Sequence, residues 1–121
     1  MSPLLVYPDP PPPELAQSLD LAGFSWKAVA NSAIADEQST DQEWAGAVIV
    51  ADEDPNGAFA FARFLRKKPK PQQGILILLN ATQLGQLELR DELFDDFILT
   101  PFRHQELEAR LKHLFWSQGV D

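Results

Sequence analysis

The sequence of 121 residues contains no cysteine, one methionine and one tyrosine. Without cysteine the chain has neither a disulfide framework nor a thiolate metal site, and thiol redox chemistry is excluded. Long hydrophobic runs are also missing, because every apolar stretch is far shorter than the roughly 20 residues that cross a bilayer. The apolar opening at 4–6 has no basic flank and runs into prolines, unlike a signal peptide. We expect a cytoplasmic protein with no membrane contact.

Positive charge is scarce. Ten basic residues stand against 18 acidic ones, which gives a formal net charge of −8. Because phosphate contacts need a positive surface, we expect this chain itself to bind no nucleic acid. Half of the basic residues fall in one stretch: Arg63, Arg66, Lys67, Lys68 and Lys70. We interpret this stretch as the solvated end of a helix, where cations favour the helix dipole.

Apolar stretches with strand character alternate with amphipathic stretches along the chain. The predicted strands are 4–7, 25–29, 46–51, 75–79 and 97–99. The runs at 46–51 and 75–79 are continuously apolar, as expected for strands buried on both faces of a parallel sheet. With 45% hydrophobic residues, the length fits one domain with one core.

Helices are predicted between these strands. The first covers 14–22, and Asn56 is the candidate cap of the third. The weak signal at 30–43 fits either a short helix with Ser32 as its candidate cap or a loop. The fourth helix is predicted over 82–93 and the last from about His104. Two sets of apolar positions define these last helices: Leu84, Leu87, Leu89 and Leu93, then Leu107, Leu111, Leu114 and Phe115.

Five strand-helix units of this size predict a flavodoxin-like, doubly wound α/β fold. Its five parallel strands take the order 2-1-3-4-5, and functional sites lie at their carboxyl ends. The order of the segment 95–102, Asp-Asp-Phe-Ile-Leu-Thr-Pro-Phe, followed by Glu106-Leu107-x-Ala109-Arg110, resembles the end of a response-regulator receiver domain. The resemblance covers the final quarter of the chain closely and the rest in the order of elements. It also implies a cis bond before Pro101.

Receivers transfer a phosphoryl group to an aspartate after the third strand, and the resemblance shows which supporting groups this chain has lost. Of two magnesium-holding acids after the first strand, the chain keeps Asp9 and has Pro8 at the other position. The hydroxyl position after the fourth strand is Asn80, and the lysine position after the fifth is Thr100. Phosphoryl transfer needs a hard cation and fixed positive charge. These substitutions predict a degenerate phosphorylation pocket without metal or cofactor.

The acceptor position is ambiguous. Counting back from Pro55 places Ala51 there, whereas Asp52 is an acid one residue later. A shift of one residue turns a strand side chain to the opposite face, although Asp52 at the strand end escapes that rule if the backbone there is loop. The sequence leaves both residues open.

The resemblance also implies a two-fold dimer surface made of the fourth helix, fifth strand and fifth helix. The matching residues are Arg90, Asp96, Phe97, Glu106 and Arg110. A face that carries both charges suits a self-complementary contact. Ordinary surface ion pairing is the alternative.

These observations predict a non-enzymatic, phosphorylation-independent receiver that regulates transcription through homodimerisation, with 116–121 beginning a linker to a DNA-binding domain. Two alternatives remain: a conventional phosphoacceptor that uses Asp52, and a stand-alone adaptor that binds a kinase or other signalling protein.

Overall fold

The computed structural model describes residues 2–39, 43–87 and 90–116. Its centre is a five-stranded parallel sheet in the order β2-β1-β3-β4-β5. The strands are β1 (Leu4–Tyr7), β2 (Trp26–Ala28), β3 (Gly46–Val50), β4 (Ile75–Asn80) and β5 (Asp96–Thr100). The predicted flavodoxin-like fold is confirmed, and each strand lies within one or two residues of its predicted position.

In the part of the chain that the structure describes, four α-helices cover the sheet: α1 (Pro13–Leu21), α2 (Ser32–Ser39), α3 (Pro55–Arg66) and α4 (His104–Leu111). A π-helical turn, Lys112–Trp116, continues α4. Helices at 14–22, after residue 54 and from His104 were predicted, and the weak signal at 30–43 proves to be a short helix.

Both predicted helix caps are wrong by one or two positions. The Asp54 side chain, rather than Asn56, caps α3 by accepting a 3.1 Å hydrogen bond from the Gly57 amide. Pro55 explains the difference, because its fixed φ suits the first helical position and the cap must precede it. At α2 the side chain of Asn31 accepts from the Ile34 amide at 2.9 Å, so that Ser32 is the first helical residue.

The predicted fourth α-helix is wrong. The structure has two 3₁₀ segments there, Ala81–Leu87 and Asp91–Leu93, and Leu89 lies outside the described residues. Leu87 and Leu93 are buried as predicted, whereas Leu84 is exposed. Gly85 lies in the middle of the first segment, where its high conformational entropy disfavours an α-helix.

The core has two parts, one on each face of the sheet. Residues at alternate positions of β3 and β4 point to opposite faces, and all of them except Asn80 are buried. One face packs against α3 and the 3₁₀ segments. The other packs against α1, against α4 through Leu107 and Leu111, and against the π-helical turn through Leu114. Burial on both faces therefore fixes the central strands and brings their carboxyl ends to one edge.

No helix in the described ranges is long and apolar enough to cross a membrane. The predicted linker at 116–121 lies outside the described residues, apart from the backbone of its first residue.

Candidate functional site

A cleft runs along the carboxyl edge of the sheet, between the loop after β1 and the loops after β3, β4 and β5. It comprises two adjoining cavities of about 570 and 440 Å³, which share Pro12, Glu14, Val50 and Asp52 as lining residues. Asn80 and Thr100 line the smaller cavity. Because β1 and β3 are central neighbours in a parallel sheet, the topology places this cleft where the strand order changes direction.

Asp52 and Thr100 are joined across the cleft. The Thr100 hydroxyl lies 2.8 Å from Asp52 Oδ1 and 2.7 Å from Oδ2, and it donates to this carboxylate. The two residues are 48 positions apart in sequence. A neutral hydroxyl therefore contacts the carboxylate from the position where the receiver resemblance implies a lysine.

The side chains of Ala51 and Asp52 lie in different surroundings. Ala51 is fully buried in the core on the α3 face of the sheet. Its amide donates to the Leu78 carbonyl at 2.7 Å, so the sheet pairing extends to Ala51 and stops there. Asp52 follows as loop backbone and directs its carboxylate into the cleft. Of these two residues, Asp52 is therefore the one whose side chain faces the cleft.

The Gln83 side chain connects the loop that carries Asp52 to the end of β4. This residue was not identified from the sequence. Its side-chain amide donates to the carbonyls of Ala51 and Asp52 at 3.2 and 2.9 Å. Its Oε1 accepts from the Asn80 amide at 3.0 Å. The side chain is buried, and it ties the loop after β3 to the end of β4. A polar residue three positions after a strand is too common a pattern to have revealed this role.

The other two predicted pocket residues, Asn80 and Asp9, make no hydrogen bond to Asp52 among the described contacts. Asn80 lines the cleft, and its side chain accepts a hydrogen bond from the Thr82 hydroxyl. Asp9 is exposed and is not among the residues that line either cavity. The predicted cis bond between Thr100 and Pro101 is present, as are cis bonds before Pro8 and Pro10.

The cleft carries charge of one sign. Four carboxylates line it, from Glu14, Asp52, Glu53 and Asp54, and none of its lining residues, all within the described ranges, is basic. The described residues contain no group of three or more histidine, cysteine, aspartate or glutamate side chains placed to hold a metal ion. Asp9, the one acid kept of the two that the receiver resemblance implies as magnesium ligands, lies outside this lining, so that pair of acids is not present in the cleft.

Tyr7, at the end of β1, borders this cleft. Its ring stacks on Phe61 of α3 with ring centroids 4.5 Å apart. Burial raises the pKa of the phenol, and the negative charge of Asp54 raises it further. A neutral hydroxyl is therefore favoured at the rim of the acidic cleft.

We expect the phenol of Tyr7 to titrate above its ordinary pKa of 10.0. Tyr7 is the only tyrosine, so ultraviolet absorbance of tyrosinate reports on it alone. Because the folded pKa is raised, the stability that Tyr7 contributes is complete below the unfolded pKa and is lost as the pH rises through the folded value. The Asp54→Asn variant, which keeps a capping side chain, should titrate lower than the wild type but still above 10.0, because burial remains. A wild-type midpoint at the ordinary value would contradict the account.

The predicted dimer residues on β5 and α4 are joined within one chain. Arg110 donates from one Nη to both carboxylate oxygens of Asp96 at 2.9 and 3.0 Å, and from its other nitrogens to Glu106 at 3.1 and 3.3 Å. Burial alone would lower the pKa of Arg110, but the hydrogen bonds to Asp96 and Glu106 outweigh it and raise the pKa. All three side chains remain partly exposed, so they combine both charges on one surface.

Arg90 and Phe97 pack inward. The guanidinium of Arg90 lies over the ring of Phe59 in α3, 4.7 Å from its centroid, and donates to the Gln86 carbonyl at 2.7 Å. Phe97 packs on the core with an edge-to-face contact to Phe94. Neither side chain is joined to the three charged residues by these contacts.

No family model and no curated protein matches this sequence. Solved structures do. The receiver domain of a sensor histidine kinase from Pseudomonas aeruginosa, with magnesium in its active-site cleft, superposes with a TM-score of 0.75 at 18% identity, covering 95% of this chain and 98% of that one. A putative response regulator from Chloroflexus aurantiacus gives 0.75 at 20% identity, with coverage of 95% and 98%.

A third structure belongs to a family of streptococcal redox sensors that evolved from two-component response regulators. It matches with a TM-score of 0.71 at 18% identity, covering 98% of this chain and 53% of that one. At such identities the likeness establishes the fold, which is that of response-regulator receiver domains.

Proposed function

We propose that this chain is a receiver-type signalling domain that works without phosphorylation, by binding another protein or a second copy of itself. The observation that carries the proposal is the contact between Asp52 and Thr100, in a cleft whose lining is acidic and contains no basic residue. A lysine ammonium about 4 Å from a phosphoryl oxygen would contribute on the order of 4 kcal/mol at an effective dielectric constant of about 20. The Thr100 hydroxyl supplies no such charge.

The acids that line the cleft also disfavour phosphorylation. A phosphoryl group on Asp52 would carry about two negative charges beside Glu14, Glu53 and Asp54. Neutralisation by magnesium would have to do without Asp9, which does not line the cleft, and without the second acid, whose position holds Pro8. Both the product and the transition state of phosphoryl transfer would therefore be disfavoured.

The test is a binding experiment with magnesium and beryllofluoride, which imitates a phosphoryl group on an aspartate. We expect the amide NMR signals of Asp52, Asn80 and Thr100 to stay in place when both are added. The Asp52→Asn variant serves as the control, because it should give the same response as the wild type. Saturable shifts of these signals in the wild type alone would refute the proposal.

A homodimer is the interaction that we propose for the edge of the sheet, through the 3₁₀ segment Ala81–Leu87, β5 and α4. Two apolar side chains at this edge are exposed, Leu84 by 40% and Leu99 by 37%. Leu99 lies on the same strand as Asp96, which together with Glu106 and Arg110 presents both charges. A two-fold contact is self-complementary, and this combination of apolar and mixed-charge surface suits it.

Sedimentation at micromolar concentration tests the dimer. We expect the wild type to be dimeric and the Leu99→Asp variant to be monomeric, because the aspartate would be buried without a partner at the contact. Leu21→Asp is the matched control: Leu21 is 69% exposed at the end of α1, an element outside the proposed contact surface, so this variant should stay dimeric. A monomeric wild type would favour an adaptor that binds a different protein.

A conventional phosphoacceptor is the second candidate, and one observation favours it: the Asp52 carboxylate faces the cleft beside Asn80. The beryllofluoride titration separates the two candidates, since only a phosphoacceptor would respond. We also propose, from the receiver resemblance, that the domain regulates transcription. This role would require a separate DNA-binding domain.

A further inference from the structure

The cleft beside Asp52 has apolar walls as well as an acidic lining. The loop after β1 contributes Pro8 and the run 10–13 to the larger cavity, while Pro101 and Phe102 border the smaller one. Val50 forms part of the floor of both. Proline rings are rigid, so a ligand that packs on this wall would lose little free energy to ordering the protein.

Asp52 is the acid best placed to bind a ligand within this cleft. It is partly buried, and among the described residues the only side chain that donates to it is the Thr100 hydroxyl, which has one hydrogen to give. A carboxylate has about four acceptor positions, so Asp52 retains capacity for further donors. Glu14 and Glu53 are exposed at the cleft, where they would attract a cation without holding it in a fixed geometry.

The form of the cleft indicates the size of its ligand. Two adjoining cavities of about 570 and 440 Å³ give a trough longer than a single ion requires. Exposed ion pairs add little affinity in water, and so a tight ligand would also have to cover the proline and Phe102 surface. Charge complementarity and this apolar area together favour a cation that is attached to apolar groups.

We propose that this cleft, lined by prolines and acids, binds a basic segment of a partner protein. An arginine or lysine side chain donates to Asp52, and apolar neighbours in the same segment pack on the proline wall. Arginine suits the site better, because its planar group donates to a carboxylate through two hydrogen bonds at once. The proposal rests on the function proposed above, in which Asp52 stays an unmodified carboxylate.

The experiment uses a short fluorescent peptide with one arginine between leucine and proline residues, titrated with the whole chain. We expect amide NMR shifts at Asp9, Glu14, Thr100 and Phe102 and at 52–54, since the prolines between them have no amide hydrogen. Replacing the arginine by citrulline, which has the same shape without the charge, should weaken binding about tenfold or more. Free arginine amide should bind about tenfold more weakly than the peptide, since it lacks the apolar neighbours.

Two double variants with the same change in net charge separate a specific site from general attraction. Asp52→Asn with Glu14→Gln should weaken peptide binding about tenfold, and Asp91→Asn with Glu92→Gln, in the exposed acids of the second 3₁₀ segment, should change it less than about twofold. Equal losses in both variants, or equal binding of the citrulline peptide, would overturn the proposal. Equal affinity for free arginine amide would overturn the assignment to a protein segment.

Failure of this inference is distinguishable from failure of the proposed function. Intact mass after treatment with a phosphodonor reports whether Asp52 is modified, whereas the peptide titration is made on untreated protein. A protein that stays unmodified and does not bind the peptide contradicts the inference alone.

Discussion

The Gly46→Ala variant should unfold at a lower urea concentration than the wild type, with a loss of roughly 2 to 3 kcal/mol in the free energy of unfolding. A Cβ atom at position 46 would overlap the ring of Phe115, and it would also lie 2.9 Å from the Gly74 carbonyl oxygen. Gly46 is buried at the start of β3, where the backbone has no room to move away. Overpacking in a dense core forces side chains from their preferred rotamers, which is the source of the loss.

Two further variants test the cause. Gly85→Ala is the matched control, because a Cβ atom there would meet nothing within 4 Å, and it should be at least as stable as the wild type, since alanine loses less chain entropy than glycine on folding. Adding Phe115→Leu to Gly46→Ala should recover part of the loss, since the smaller side chain vacates the space that the new methyl needs. If Gly46→Ala is as stable as the wild type, Phe115 does not pack where the structure places it.

The Gln83→Leu variant should lose roughly 2 to 4 kcal/mol, because the substitution leaves several polar backbone groups without their partner. Gln83 donates hydrogen bonds to the carbonyls of Ala51 and Asp52 and accepts one from the amide of Asn80. Leucine has a similar size, so packing changes little and the lost hydrogen bonds dominate. Urea unfolding measures the loss, and hydrogen exchange of the Asn80 amide should become faster.

Gln17→Leu is the control for this substitution. Gln17 lies on the exposed side of α1, and its replacement should change the free energy of unfolding by less than about 0.5 kcal/mol. A Gln83→Leu variant that keeps both the wild-type stability and slow exchange at Asn80 would mean that the side chain does not join the two loops.

The central sheet could be predicted from the sequence because its strands have a strong local signal. The runs at 46–51 and 75–79 are apolar at every position, which only burial on both faces explains. The last helix was predicted for a similar reason, since Leu107, Leu111 and Leu114 recur on one face and are all buried. Once the strands are known, parallel topology brings Asp52, Asn80 and Thr100 to the same edge.

The contacts within the site could not be predicted in this way. The pairing of Asp52 with Thr100 depends on how the loop after β3 turns, and no local pattern records a contact across 48 positions. Gln83 falls within the predicted fourth helix, and no pattern in the sequence singled it out. The helix itself was predicted from the spacing of Leu84, Leu87, Leu89 and Leu93, yet this spacing did not account for Gly85 within the segment.

The surface around Arg110 shows a second limit of prediction from sequence. The receiver resemblance implied that Asp96, Glu106 and Arg110 meet at a contact between two chains, and the structure brings them together within one chain. A sequence pattern does not distinguish pairing within a chain from pairing between two chains, because the same charges serve both. The apolar residues Leu84 and Leu99 therefore carry more of the argument for a dimer than the charges do.

Intact-mass spectrometry after incubation with a small phosphodonor and magnesium tests the central claim most directly. The account predicts that the chain keeps its unmodified mass, because the cleft at Asp52 has acids and a neutral hydroxyl where phosphoryl transfer needs a metal ion and a fixed cation. A stoichiometric phosphoryl adduct in the wild type that is absent from the Asp52→Asn variant would contradict it.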